Sequence, residues 1–299
     1  SPGLFTLPSL ERTQQATLEF AAQFNCTQPD QALDCMRKQS AKRIVPSGGG
    51  TPWTATLAWL PTVDNIWFED QPINLLNSHR WLQVPIIVGW ATQEQNMLGF
   101  ADIGSLPQLP MTRKSYDKHL KLTFGSGAFA AFINQTYAPQ RKKDGNWQAL
   151  ALASTDHTLS FRCPQIFNDG FLQSNHSVFI YSWRYLPEKW IFSSFGPTHT
   201  VDLPFVFGDP TIGGMVFNQQ DQQFSQQVMT MWSNFARSQN PSASWPDYRK
   251  NQKVLIFDEG FPKGDFPYNR TTPLNNPCFD LKPLLERGIF AQPTHKNLL

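Results

Sequence analysis

Val84-Pro85-Ile86-Ile87-Val88-Gly89-Trp90, running at once into Ala91-Thr92-Gln93-Glu94-Gln95-Asn96, is the stretch on which the fold turns. Its first half is continuously apolar, the pattern of a strand covered on both faces of a parallel sheet. Its second half turns polar without a break. In open α/β sheets the carboxyl ends of the strands carry the chemistry. Glu94 therefore stands where a catalytic acid would stand, although a solvated carboxylate on a turn is the commoner occupant of such a position.

A second strand signal, Val178 to Tyr185, shows period-2 polarity at its end. Between the two, Arg113–Thr123, Gly127–Tyr137 and Trp147–Gln173 carry helical patterns, and Arg141-Lys142-Lys143-Asp144-Gly145 reads as a charged, solvated turn. Pro8–Phe24 predicts a helix capped by Ser9, with Leu10, Ala16, Leu18, Ala21 and Ala22 facing inward, and a short helix over Gln31–Lys38 follows. Asn74–His79 predicts another short helix. Phe224–Arg237 predicts a long one, with Val228, Met231, Trp232 and Phe235 on one face. Lys253–Phe257 reads as an edge strand and Cys278–Arg287 as a terminal helix. This strand–helix alternation argues for an α/β fold.

Behind the second strand lies Gly196-Pro197-Thr198-His199-Thr200-Val201-Asp202-Leu203-Pro204-Phe205-Val206-Phe207-Gly208. A histidine in a Gly/Pro loop after a strong strand suits a general base at the mouth of such a sheet. Asp202 reads first as the N-cap or a first-turn acid of the helix that follows it rather than as a catalytic group. An acid before a histidine matches the order Ser, Asp/Glu, His of a nucleophile relay on an α/β-hydrolase sheet. The serine is missing: no Gly-x-Ser-x-Gly elbow and no His-Gly-Gly-Gly oxyanion loop occurs in the chain. His79, His119, His157, His176 and His295 show no metal-ligand spacing with one another or with cysteine. Ser47–Pro52 lacks the Gly-Lys-Ser/Thr of a phosphate loop. No cofactor or metal is expected.

Composition narrows the class further. The chain has 299 residues, of which 40% are hydrophobic and only 16% charged, with a net charge of +2. That is enough apolar material for a sizeable core. The sequence shows no basic field that would hold a polyphosphate, which argues against nucleic acid as a partner. No apolar run reaches the ~20 residues needed to span a bilayer. The opening Ser1-Pro2-Gly3-Leu4-Phe5 has neither a basic nor an apolar leader region, so it reads as an internal start. Four cysteines allow three pairings; the spacing favours a short loop, Cys26 to Cys35, and a long crosslink, Cys163 to Cys278. Together with sequons at Asn25, Asn134, Asn175 and Asn269 this favours a secreted glycoprotein.

Several of these stretches, in order, resemble the type-B carboxylesterase/lipase (cholinesterase-like) family. Cys26 to Cys35-Met36-Arg37 is similar to its short disulfide loop, and Pro61-Thr62-Val63-Asp64 to its Pro-Val-x-Asp segment. Pro85 to Gln95 is similar to the segment whose Glu is the triad acid, with Gln93 and Gln95 in place of the usual Asp and Gly beside Glu94. Gly196 to Gly208 resembles the segment that carries the triad histidine. Met231–Arg237, Asn240-Pro241 and Trp245-Pro246-Asp247-Tyr248 are like its terminal helix and Trp-Pro-x-Tyr block.

The resemblance implies an α/β-hydrolase that cleaves carboxylic esters through a serine acyl-enzyme, with His199 as base and Glu94 as the acid that orients it. It also implies that residues 1–299 form the C-terminal part of a single α/β-hydrolase domain. A separate N-terminal chain of the same precursor would complete the domain and carry the serine and the oxyanion loop. Trp90, Met97, Phe100, Trp190, Phe192 and Phe195 are the expected wall of a pocket for a small-molecule or lipid ester. The alternatives are a non-catalytic, adhesive member of the family and a biosynthetic member that transfers or cyclises acyl groups.

Overall fold

The structure is a computed structural model and describes residues 7–47, 61–94, 96, 110–157, 169–259 and 268–269. The described residues divide into two compact units that meet in sequence at Leu75 and Leu76. The region Cys278–Arg287 and the stretch after Gln292 lie outside the described residues.

The first unit holds α1 (Leu10–Ala22), α2 (Ala32–Arg37), α3 (Ala41–Ser47) and most of α4 (Pro72–Asn77). Ser9 caps α1 as its sequence predicts, its hydroxyl accepting from the Arg12 N–H. A disulfide joins Cys26 to Cys35 and ties α2 to the end of α1. Ala21, Phe24, Cys26 and Ala32 are buried together. Of the inward positions expected on α1, Ala21 is buried, whereas Leu10, Leu18 and Ala22 are exposed. Periodicity found the helix but overstated the width of its buried stripe. The Asp64 carboxylate accepts the N–H groups of Ile66, Trp67 and Phe68, holding that turn closed with Trp67 and Ile66 exposed.

The second unit is built on a sheet. β1 (Ile86–Ala91) is followed by α5 (Arg113–Phe124), α6 (Ala128–Thr136), α7 (Ala138–Asp144), α8 (Asn146–His157) and α9 (Asp169–Leu172). Then come β2 (Val178–Trp183), β3 (Lys189–Trp190), α10 (Leu203–Phe207), β4 (Met215–Val216), α11 (Gln219–Ser238), α12 (Tyr248–Asn251), β5 (Lys253–Phe257) and β6 (Tyr268–Asn269). The main sheet has the order β1-β2-β5-β6. β1, β2 and β5 are parallel, and β6 runs antiparallel to β5. Register sets Ile86 beside Val178 and Ala91 beside Trp183.

The period of two along each strand sorts side chains into two cores. Val88, Trp90, Val178, Ile180 and Val254 pack on one face with Tyr116, Leu120, Phe129, Ile133, Trp147 and Leu150 from α5 to α8. Ala91, Phe179, Tyr181, Trp183, Leu255 and Phe257 pack on the other with Val201, Phe205, Phe224, Val228 and Met231. Each fully buried large apolar side chain contributes about 1.5–3 kcal/mol, and β2 is buried along its whole length. That full burial replaces the alternation expected at its end.

Gly89 faces Tyr181 across the β1–β2 pair, and a Cβ there would lie 2.3 Å from the Tyr181 ring. The close approach of these strands admits no larger residue at 89.

Three further expectations are corrected. Arg141–Asp144 is not a turn but the last part of α7, which ends at Gly145 with φ +97. β5 is not an edge strand, because β6 pairs with Lys253 and Val254. The long helix begins five residues before Phe224. Asn218 accepts the Asp221 N–H and Asp221 accepts the Asn218 N–H, a reciprocal cap that starts α11 at Gln219.

Candidate active site

β1 ends beside β2, where the Thr92 N–H donates to the Trp183 carbonyl. The chain then turns so that the Glu94 carboxylate reaches back to the strand end: its Oε1 accepts the Ala91 N–H at 2.7 Å. Its Oε2 lies 2.6 Å from Nδ1 of His199. Glu94 has no exposed surface, whereas the His199 side chain keeps 25% of its own. The two residues predicted from separate motifs are thus joined, one sealed and one reachable. A buried carboxylate hydrogen-bonded to Nδ1 fixes the orientation of the imidazole ring.

Four hydrogen bonds clamp the two loops together beyond this contact. Gln93 N–H donates to Pro197 O at 3.0 Å and His199 N–H to Glu94 O at 3.3 Å. The Thr198 hydroxyl also donates to Glu94 O, and the Asn96 side-chain amide donates to Phe195 O at 2.8 Å. Gly196 adopts φ +68, ψ −164, a region open to glycine alone. The Gln93 side chain occupies the space where a Cβ of residue 196 would stand. Thr198 and Asn96 escape sequence reasoning because each acts through a main-chain carbonyl of the opposite loop, which no pattern of side chains announces.

Asp202 stands at the N-cap position of α10, as read, but its side chain makes no capping hydrogen bond. Its Oδ2 instead accepts the Tyr181 hydroxyl at 2.7 Å, and both groups are buried. Burial, the Asp202 charge and hydrogen bond, and the Glu94 charge push the Tyr181 hydroxyl well above its ordinary pKa. It remains a neutral donor that satisfies Asp202 behind the histidine loop.

The expected pocket residues separate. Trp90 belongs to the core under α5–α8. Trp190 donates to Gly213 O, and its ring meets Phe192, which in turn meets Phe195 at 6.3 Å. These three form an aromatic run ending beside Gly196. Met97 and Phe100 lie outside the described residues, as do Cys163 and Cys278. Asn25 and Asn175 are exposed, and Asn269 lies on β6. Asn134 sits within α6, where its side-chain oxygen accepts from both Arg113 and Arg141.

A mostly parallel sheet covered by helices on both faces, with its polar loops gathered at the strands' carboxyl ends, is an α/β-hydrolase fold. The chain belongs to the carboxylesterase family, whose model matches residues 5–270. It is similar to the acetylcholinesterase of Bungarus fasciatus, 21% identical over 277 residues covering 86% of this chain and 45% of that protein. It is also similar to carboxylesterase 4A of Bos taurus, 26% identical over 218 residues, 66% of this chain and 38% of that one. The medium-chain fatty acyl-CoA hydrolase precursor of Anas platyrhynchos is 23% identical over 270 residues, 83% and 47% of the two chains. The chain spans less than half the length of these relatives. Among the described residues no helix is long and apolar enough to cross a membrane.

Proposed function

We propose that this chain supplies the acid and the base of a carboxylic ester hydrolase, and that the nucleophilic serine and the oxyanion donors lie on an N-terminal chain of the same precursor. The observation that carries the proposal is the 2.6 Å contact between the sealed Glu94 carboxylate and the accessible His199 ring.

In this reaction His199 accepts the serine proton as the serine oxygen bonds to the ester carbonyl carbon. Glu94 steadies the imidazolium, and the partner's backbone N–H groups hold the oxyanion. Collapse of the tetrahedral adduct expels the alkoxide, which takes the proton from His199 and leaves as the alcohol. Water then repeats the sequence on the acyl-enzyme, releasing the carboxylic acid and the free serine. Trp190, Phe192 and Phe195 supply apolar surface beside the loop, suited to an acyl or alkyl group. The disulfide and the exposed sequons at Asn25 and Asn175 support secretion as a glycoprotein.

The test is fluorophosphonate labelling of the native protein followed by intact-mass analysis. A copurifying polypeptide that gains the probe mass, and fails to gain it when His199→Ala is introduced, supports the reading. A folded native protein that stays unlabelled sinks it.

A further inference from the structure

Arg113, Lys114, Lys118 and Lys121 stand on α5, and Arg141, Lys142 and Lys143 on α7. Only Asp117 and Asp144 oppose them between residues 113 and 144, so this segment carries +5 while the whole chain carries +2. The remaining residues therefore sum to −3. The two basic groups are 20 residues apart in sequence, which hides them from a search for a charge run. The fold joins them. Arg113 and Arg141 lie over the same Tyr116 ring, at 5.4 and 5.1 Å from its centroid. Both guanidinium groups donate to the Asn134 side-chain oxygen, at 3.3 and 2.6 Å.

Asp117 pairs with Arg113. Among the described residues, none of the five lysines has a carboxylate within ion-pair distance. Lys114, Lys118 and Lys121 recur at i, i+4 and i+7, which places them on one face of α5. All five lysines are exposed.

What these helices lack decides the partner. Among the described side chains, none of the exposed large apolar residues lies between 110 and 157. Tyr116, Leu120, Phe124, Phe129 and Ile133 all point into the core. An interfacial membrane helix needs apolar side chains beneath its cations, and a protein interface needs a buried aromatic or aliphatic anchor. Single-stranded nucleic acid needs exposed rings on which bases stack. Point charges alone suit a hydrated linear polyanion.

We propose that the α5–α7 face is a docking surface for a sulfated polysaccharide. The surface is separate from the site at Glu94 and His199, and it stands whether or not the chain serves an esterase.

The experiment measures binding of the native protein to heparin over a salt series. The test variant is Lys114→Glu/Lys118→Glu/Lys121→Glu, and the control is Lys38→Glu/Lys42→Glu/Lys189→Glu, which changes net charge equally elsewhere. Thermal unfolding of each variant establishes that it is folded. Double-stranded DNA and phosphatidylserine vesicles serve as competing anions.

The expected result is binding at physiological salt whose log–log salt slope falls by roughly 0.7–0.9 for each lysine removed, as counterion release dictates. The test variant should lose at least tenfold in affinity and the control much less. Equal losses in the two variants, no binding by the native protein, or tighter binding to DNA or vesicles than to heparin would each overturn the proposal.

Discussion

Gly196→Ala tests how the loops that carry Glu94 and His199 are held. At φ +68, ψ −164 an alanine is strained by about 1–3 kcal/mol whatever surrounds it. Its Cβ would also lie 1.5 Å from Oε1 of Gln93. That atom ends a flexible side chain, so Gln93 swings away at a further cost of about 0.5–1.5 kcal/mol. The single substitution should therefore cost about 1.5–4.5 kcal/mol, read as a fall in urea midpoint at constant slope. Gln93→Ala combined with Gly196→Ala should recover only the Gln93 share and leave the backbone strain. Fluorophosphonate labelling should fall with the single substitution and stay depressed in the double one, because the backbone of the His199 loop is displaced in both. Full recovery of stability and labelling in the double variant would refute this reasoning, since the cost would then be a collision alone. A loss below ~0.5 kcal/mol in the single variant would refute it too, because glycine-only backbone geometry cannot be that cheap for alanine.

Asn96→Ala removes the donor to Phe195 O and should cost about 1–3 kcal/mol, lowering kcat more than it raises KM; unchanged kcat would show that the clamp is not needed for turnover. Glu94→Gln leaves the shape but offers His199 an amide that favours the wrong tautomer, and on the proposed reading ester turnover should drop by about 10⁴, with a loss under tenfold counting against the assignment. The Tyr185 hydroxyl is raised far above its ordinary range by burial, then by its bond to Asp221 and by the Asp221 and Glu259 charges. The folded state keeps a proton that the unfolded chain releases near pH 10, so stability is intact below that pH and declines above it, by up to ~1.4 kcal/mol per pH unit for each such tyrosine. Tyr185→Phe should flatten the alkaline limb of a thermal-melt series, and an unchanged limb would refute the assignment. Burial pushes the Asp247 carboxyl up, but hydrogen bonds from Arg249 and from the Val178 N–H leave it below its ordinary value. Its stabilisation is therefore present above pH ~4 and lost as pH falls further. Asp247→Asn should lower the melting temperature at neutral pH but not at pH 2.

That Glu94 and His199 would meet was legible because each follows a strand whose apolar run is long enough to be unambiguous, and both stretches resemble segments of a known family. The partner of Asp202 was not legible, because a carboxylate beside a helix start looks like a cap until the strand behind it shows Tyr181. The true start of α11 lay in Asn218 and Asp221, polar residues that an apolar periodicity ignores. β5 looked like an edge because its neighbour, β6, covers only two of its residues. The charged stretch at Arg141 looked like a turn because its helix is short, with no buried residue, and is bracketed by Pro139 and Gly145.

Glu94 and His199 are 105 residues apart in sequence. Closing a flexible loop of that length costs roughly 4 kcal/mol by chain entropy, and the contact itself cannot offset so much. The parallel pairing of β1 with β2 carries that cost, and it draws α5 to α9 into place as it does so. Glu94 and His199 therefore come together only once β1 and β2 have paired, so a chain caught earlier, with its helices formed and its strands apart, holds the two side chains out of register. Recovery of His199 reactivity during refolding should then lag behind the return of helix signal and keep pace with burial of the tryptophans on β1 and β2.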